Sequence, residues 1–370
     1  MNSFIKTYPG LVLDNCNGVL KLHNPLLIKS WESNLINHDN FANLIIFCYE
    51  KKPYLEVKRF LIETTGFCEK QVQAGLEELI NANILEILDS TQTISQQENI
   101  AYSYFHFPDW KCKNWEDAFY FHLHSNVLEK FDYTENLKGD EYIMKEFLKK
   151  DAKPPVYKEY PHASSIDLAD LNEEVWQQRN LSKIIMQDIE NNDVKSLSFA
   201  DFSYFVKLAF GQTRFKMCPV MGKLIAKTSP SGGSRHPTEI YVCIINVSNI
   251  QPGYYHYNVK KHTLEILSKD NPTKFISKEI LTPALNITKI PEVVFIYSTL
   301  YERSMHRYRE SRTYRVIHLD VGHLMETTKL IARSLGKNHI SGLSLKESAV
   351  EQKLDLDGIS ESVIAFSAII

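Results

Sequence analysis

The chain has few of the features that would mark it as secreted, disulfide-built or membrane-spanning. Its six cysteines, Cys16, Cys48, Cys68, Cys112, Cys218 and Cys243, are scattered over 370 residues with no C-x-x-C and no close pair. Such scatter argues against a disulfide framework or a cysteine zinc site and fits reduced thiols. No apolar run approaches the roughly 18 residues that a spanning helix needs, and Met1 to Gly10 carries no apolar stretch of the signal-peptide kind. An excess of one charge is missing too. Lys plus Arg number 42 and Asp plus Glu 45, a net −3, which argues against nucleic acid as a partner of the whole chain. A cytoplasmic protein with no membrane and no nucleic acid among its partners is the expectation.

The length predicts more than one domain, and 44% hydrophobic residues suffice for a large core. The Asn17-Gly18 pair between Val12-Leu13 and Val19–Leu22 predicts a hairpin. Helical periodicity follows in Phe41–Phe47, in Tyr54–Thr65 after Pro53, and in Glu69–Asn81, whose Val72, Leu76, Leu79 and Ile80 share a stripe. Alternation in Ile84–Leu88 then predicts a strand. Three helices and a strand suggest a winged-helix-like domain over residues 1–100. Its third helix sets Glu69, Glu77 and Glu78 against Lys70, a balance suited to a peptide or protein partner and not to phosphates. Residues 101–170 read as a connecting helical segment and a linker, charged and proline-bearing from 132 onward. Phe121-His122-Leu123-His124 invites a metal, but no third ligand stands at metal spacing and packing is the plainer account, so no metal is expected.

A second domain is expected over 171–370. Ser198 and Asp201 form an N-terminal cap for the apolar helix Phe202–Phe210, which Gly211 closes. Glu239–Ile245 is a β-branched buried strand, Tyr254–Tyr257 and Thr263–Leu267 are further strands, and Glu292–Ser298 and Ser362–Ile370 two more. A long apolar helix spans Val316–Leu335. Strands mixed with long helices predict an α+β domain. Just before the first strand runs Ser229-Pro230-Ser231-Gly232-Gly233-Ser234-Arg235-His236-Pro237. The two glycines permit positive φ and close approach of the backbone to a flat or anionic ligand, with Ser231 and Arg235 beside them as donors. A surface turn feeding a strand is the alternative.

The order Pro-Ser-Gly-Gly-Ser-Arg-His-Pro-Thr-Glu-Ile-Tyr, then Pro252-Gly253-Tyr254-Tyr255-His256-Tyr257-Asn258, then Arg312-Thr313-Tyr314-Arg315 with Asp320-Val321-Gly322-His323, resembles the SagB-type dehydrogenases of the nitroreductase superfamily. The resemblance covers residues 171–370, and the N-terminal half is similar to that of longer members. It implies a nitroreductase-like α+β fold that binds FMN at the interface of a homodimer. It also implies that Arg179 and Lys183 hold the FMN phosphate, that Pro230, Ser231, Gly232 and Gly233 approach the flavin ring, that Arg235 lies near the ring's polar edge, and that Arg315 is a further cofactor contact. The helix Val316–Leu335 would form the dimer core.

One departure matters. Azoline-oxidising members carry a Lys-Tyr pair just before the R-x-Y-R element, whereas this chain has Arg307-Tyr308 there, set one residue further from Arg312. Arginine stays protonated and is a poor general base. Tyr308, with His306 near it, can still supply the proton transfer, and Arg307 stands in the lysine's place. The resemblance therefore implies an FMN-dependent oxidoreductase that matures a ribosomally made precursor peptide. It would either reduce dehydroamino acid residues with NADPH or NADH, or dehydrogenate azolines. The N-terminal domain would dock a leader peptide or another maturation enzyme. A flavin-free scaffold of a synthetase complex is the alternative from a different class.

Overall fold

The structure is a computed structural model describing residues 3–8, 11–16, 19–24, 29–33, 38–48, 51–89, 110, 112–125, 137–170, 196–281 and 289–370. The chain divides into two compact units, Met1–Phe131 and Asp132–Ile370.

In the first unit, β1 (Ser3–Thr7), β2 (Val12–Cys16), β3 (Val19–Asn24) and β4 (Lys29–Ser33) precede α1 (His38–Phe47). The Asn-Gly expectation falls between β2 and β3, which pair antiparallel with Cys16 opposite Val19. A short β5 (Lys52–Pro53), α2 (Tyr54–Thr65), α3 (Glu69–Asn81) and β6 (Leu85–Asp89) follow, with β1 between β5 and β6 in one sheet. Val57 and Leu61 of α2 and Val72 and Leu76 of α3 are buried against Ile5, Leu44 and Leu85. The spacing of those apolar residues, four apart on each helix, puts them on one face. Glu69, Glu77 and Glu78 are exposed. In a further helix, α4 (Glu116–His124), the His122 ring lies 5.9 Å from Trp110, a packing contact.

The second unit is built on a seven-stranded antiparallel sheet. Its members in chain order are β7 (Ser165–Asp167), β10 (Thr238–Ile244), β11 (Gly253–Asn258), β12 (Thr263–Ser268), β13 (Val293–Leu300), β14 (His339–Gly342) and β15 (Glu361–Ile369). Across the sheet the order is β14-β15-β13-β10-β11-β12-β7. The hairpin β8 (Gln212–Cys218) and β9 (Gly222–Lys227) stands apart from it as a two-stranded sheet. Central strands buried on both faces read as continuous apolar runs, because alternate side chains serve opposite layers. Ile240, Val242 and Ile244 of β10 pack with α6 (Phe199–Phe210) and α8 (Thr313–Ser334), where Phe205 stacks 5.3 Å from Phe295. Tyr241 and Cys243 face the opposite layer, which holds Ile276, Ile280 and, from α9 (Glu347–Leu354), Val350. Ser198 caps α6 by accepting the Asp201 N–H at 3.0 Å.

Residues 132–170 differ from the expected surface linker. They contain α5 (Leu137–Lys150), and β7 pairs with β12. Lys158 is drawn inward, its Nζ 2.5 Å from Glu361 Oε2 and 2.6 Å from the Tyr241 hydroxyl. Charge and proline suggested solvent here. A lysine fully paired with a carboxylate and two tyrosines can nonetheless be built into a core edge.

Candidate functional site

The glycine-rich loop crosses from β9 to β10, over the first half of α8. A left-handed Gly233, with φ +57°, folds it into a single 3₁₀ turn over Gly232–Ser234. Asp320 of α8 holds this turn. Its Oδ2 accepts the Ser231 hydroxyl at 2.6 Å and its Oδ1 the Gly232 N–H at 3.1 Å. Ser231 Oγ in turn accepts the His236 N–H at 2.9 Å, and Ser229 Oγ lies 2.7 Å from Thr327 Oγ1. Burial pushes the Asp320 carboxyl up, against the two donated hydrogen bonds.

Both glycines are required by their own neighbours. A Cβ on Gly232 would come within 2.5 Å of Val316 Cγ1, and one on Gly233 would overlap the Tyr308 hydroxyl. Tyr308 therefore lies against the exposed Gly233, with the Arg307 guanidinium 4.7 Å from its ring centroid. Arg235 donates Nε to the Gly233 carbonyl at 3.0 Å and stands in the electrostatic field of Arg307 and Tyr308. The sequence separates these groups by about seventy residues, and the fold brings them to one surface.

A buried polar network joins Arg303, Glu239, His256 and Glu265. Arg303 Nη1 is 2.5 Å from Glu239 Oε1. His256 then bridges Glu239, 3.0 Å from Nε2, and Glu265, 2.8 Å from Nδ1, and Glu265 also accepts from Asn258 at 2.7 Å. Burial alone would raise the Glu239 carboxyl, but Arg303, His256 and Lys227 together hold it at about 2. Burial would lower His256, and its two carboxylate partners raise it instead. His236 bonds the Ile225 backbone and has no carboxylate partner among the described residues. Burial, with Lys227 adding to it, pushes its imidazole down to about 3. Burial takes the Lys227 ammonium down to about 8, against the pull of Glu239.

Of the residues singled out from sequence, Ser231, Gly232, Gly233, Arg235, Arg307 and Tyr308 converge here. Pro230 is exposed at the loop's start, and Arg315 sits half-buried in the first turn of α8, next to Val316. Arg179 and Lys183 lie outside the described residues. Asp320 was visible only as a letter of the D-x-G-H motif; nothing in the sequence shows that its two oxygens anchor the loop. Glu239 and Arg303 are likewise ordinary letters until β10 and α7 (Glu302–Met305) bring them together.

The donor set fits a flat, polar-edged cofactor. A ligand laid on Gly233 would meet a phenol, and two guanidinium groups lie nearby. The α+β sheet, the anchored glycine loop and the long helix behind it define the class. Residues 193–369 match the nitroreductase family. The chain is 37% identical over 146 residues to the trifolitoxin-processing protein TfxB of Rhizobium leguminosarum bv. trifolii, covering 39% of this chain and 39% of TfxB. It thus spans about two fifths of the length of that relative. Among solved structures it is similar, at 20% identity and a TM-score of 0.42, to the E. coli microcin synthetase McbBCD complex with truncated pro-MccB17 bound, covering 74% of this chain and 98% of that one. No helix among the described residues is long and apolar enough to cross a membrane.

Proposed function

We propose that the protein is an FMN-dependent, SagB-type oxidoreductase that matures a ribosomally made peptide, reducing a dehydroamino acid residue at the expense of NADPH or NADH. The observation that carries it is the Tyr308 hydroxyl set against Gly233 and flanked by guanidinium groups. FMN bound there would supply hydride transfer. Gly232 and Gly233, held by Asp320, would let the ring approach the backbone, with Pro230 and Ser231 at its margin. Arg235 and Arg315 would meet its polar atoms, and Arg179 and Lys183 its phosphate. Tyr308 would deliver the proton to the carbon next to the one receiving hydride, while Arg307 stabilises the phenolate left behind. Reduction needs a proton donor, which Tyr308 is. It does not need the strong base that the missing lysine would have been.

The relative's role in trifolitoxin processing supports a peptide substrate. Dehydrogenation of azolines is the second reading, favoured by the motif order shared with azoline-oxidising enzymes. We infer in addition a homodimer packed through α8, whose Tyr314 and Leu319 are exposed, and a winged-helix-like N-terminal unit that docks a leader peptide or another maturation enzyme. The exposed acidic residues of α3 support a peptide partner over nucleic acid.

The absorption spectrum of the purified protein tests the cofactor. A flavin band that FMN addition brings to full occupancy is expected. Protein that stays colourless with FMN would leave only a scaffold role in a synthetase complex. Deleting residues 1–100 should weaken turnover of a full precursor without changing FMN content; undiminished turnover would remove the docking role.

A further inference from the structure

At the end of the glycine turn a narrow cavity of about 20 Å³ is lined by Lys153, Pro155, Leu224, Ser234, Arg235 and Arg303, and Arg235 stands in the field of Tyr308. Its charged groups are all cations. Arg303 is 5% exposed and spends Nε on the Pro155 carbonyl and Nη1 on Glu239 and the His236 carbonyl. Its Nη2 is buried with no hydrogen-bond partner among the described residues. A buried guanidinium N–H without an acceptor is costly and marks a place where an acceptor belongs. Lys153 spends one N–H on the Met221 carbonyl at 2.7 Å, and its ammonium is pushed down by burial and by the field of Arg235. Two neighbouring carboxylates are engaged, Glu239 by Arg303 and Asp151 by Arg309. The β8–β9 hairpin and the glycine loop extend the same sign. Residues 212–237 hold Arg214, Lys216, Lys223, Lys227 and Arg235 with no Asp or Glu.

We propose that this cavity is a carboxylate subsite, which seats an acidic side chain of the peptide substrate next to Tyr308. Lys153 and Arg235 pair with the carboxylate at the mouth and the Arg303 Nη2 group donates from the floor. The assignment rests on the peptide reading above. The volume holds about one water-sized group, so a carboxylate oxygen at the tip of a side chain enters it and a whole phosphate ester does not. Planar guanidinium groups match a carboxylate in the same way.

The test is a binding experiment on the full chain that needs no turnover. Lysines are reductively ¹³C-methylated, which keeps their charge, and the Lys153 signal is assigned by its loss in Lys153→Gln. N-acetylglutamate amide, N-acetylglutamine amide and inorganic phosphate are then titrated in turn. The glutamate compound should shift the Lys153 signal saturably, with an apparent Kd about tenfold below that of the glutamine compound, the scale of one charge-assisted hydrogen bond. As a second measurement, the unmethylated Lys153→Gln protein should lose that glutamate preference in equilibrium dialysis. Equal binding of the two compounds would overturn the proposal, as would a preference that survives Lys153→Gln. Phosphate binding more tightly than the glutamate compound would overturn the carboxylate assignment. A colourless protein that still prefers glutamate would sink the flavin reading and leave the subsite standing. Flavin-dependent peptide turnover without that preference would do the reverse.

Discussion

Two polar clusters lie within one loop's breadth of each other and are built on opposite terms. The lower one, Arg303–Glu239–His256–Glu265, is buried, its carboxylates each accepting from more than one donor and the Arg303 Nη2 group left over. The upper one, Tyr308 with Arg307, Arg235 and Lys153, is partly open and gathers three cations around one phenol, Arg235 and Lys153 each donating to a backbone carbonyl. A network whose carboxylates are all engaged acts chiefly on stability, and its spare Nη2 group is all that it offers a ligand. A cluster of cations around one phenol acts on what binds. The glycine turn, clamped by Asp320, is the boundary between the two.

Substitutions should therefore separate stability from activity. Glu239→Ala leaves Arg303 and His256 buried without their carboxylate and should cost about 3–5 kcal/mol in denaturant unfolding. A loss below about 1 kcal/mol would show that the lower cluster does not act on stability. Asp320→Ala removes the acceptor of Ser231 and Gly232 and should cost about 2–3 kcal/mol. It should also lower FMN retention, read from the flavin absorbance after gel filtration.

The pH dependence isolates His236. Its folded pKa of about 3 lies below the ordinary 6.5. The unfolded chain thus takes up a proton first as pH falls, and stability drops between pH 6.5 and 3 by up to about 1.4 kcal/mol per unit. His339, held down at about 4 by burial, acts in the same direction. The contribution of His256 has the other sign. It is fully present below 6.5 and is lost as pH rises through its raised folded value, so it leaves that window untouched. Melting temperatures from pH 6.5 to 5 should fall in wild type and fall less in His236→Asn. Tyr308→Phe comes last in stability, within about 0.5 kcal/mol of wild type. Its turnover should drop about 100-fold or more, because the proton donor is gone.

Much of this arrangement was legible in the sequence where one local rule sufficed. The apolar run of β10, the Ser198 cap of α6, the helix over 313–334 and the closing strand β15 follow from periodicity and capping, with bounds within a few residues. The two glycines do fold into a tight turn, for reasons the letters do not contain: Gly232 makes room for Val316 and Gly233 for Tyr308, both distant in sequence. Long-range pairing hid the rest. Lys158 looked like a linker lysine until Glu361, 203 residues away, accepted it. Glu239 read as the first residue of a strand until Arg303 and His256 surrounded it.

The most direct measurement is the mass of a candidate precursor peptide bearing dehydroamino acid residues, incubated with the protein, FMN and NADPH. The account predicts a gain of about 2 Da per residue modified, the hydride and proton of one reduction, and no gain with Tyr308→Phe on the same timescale. A loss of about 2 Da from an azoline-bearing precursor, needing no NADPH, would contradict it and establish dehydrogenation instead.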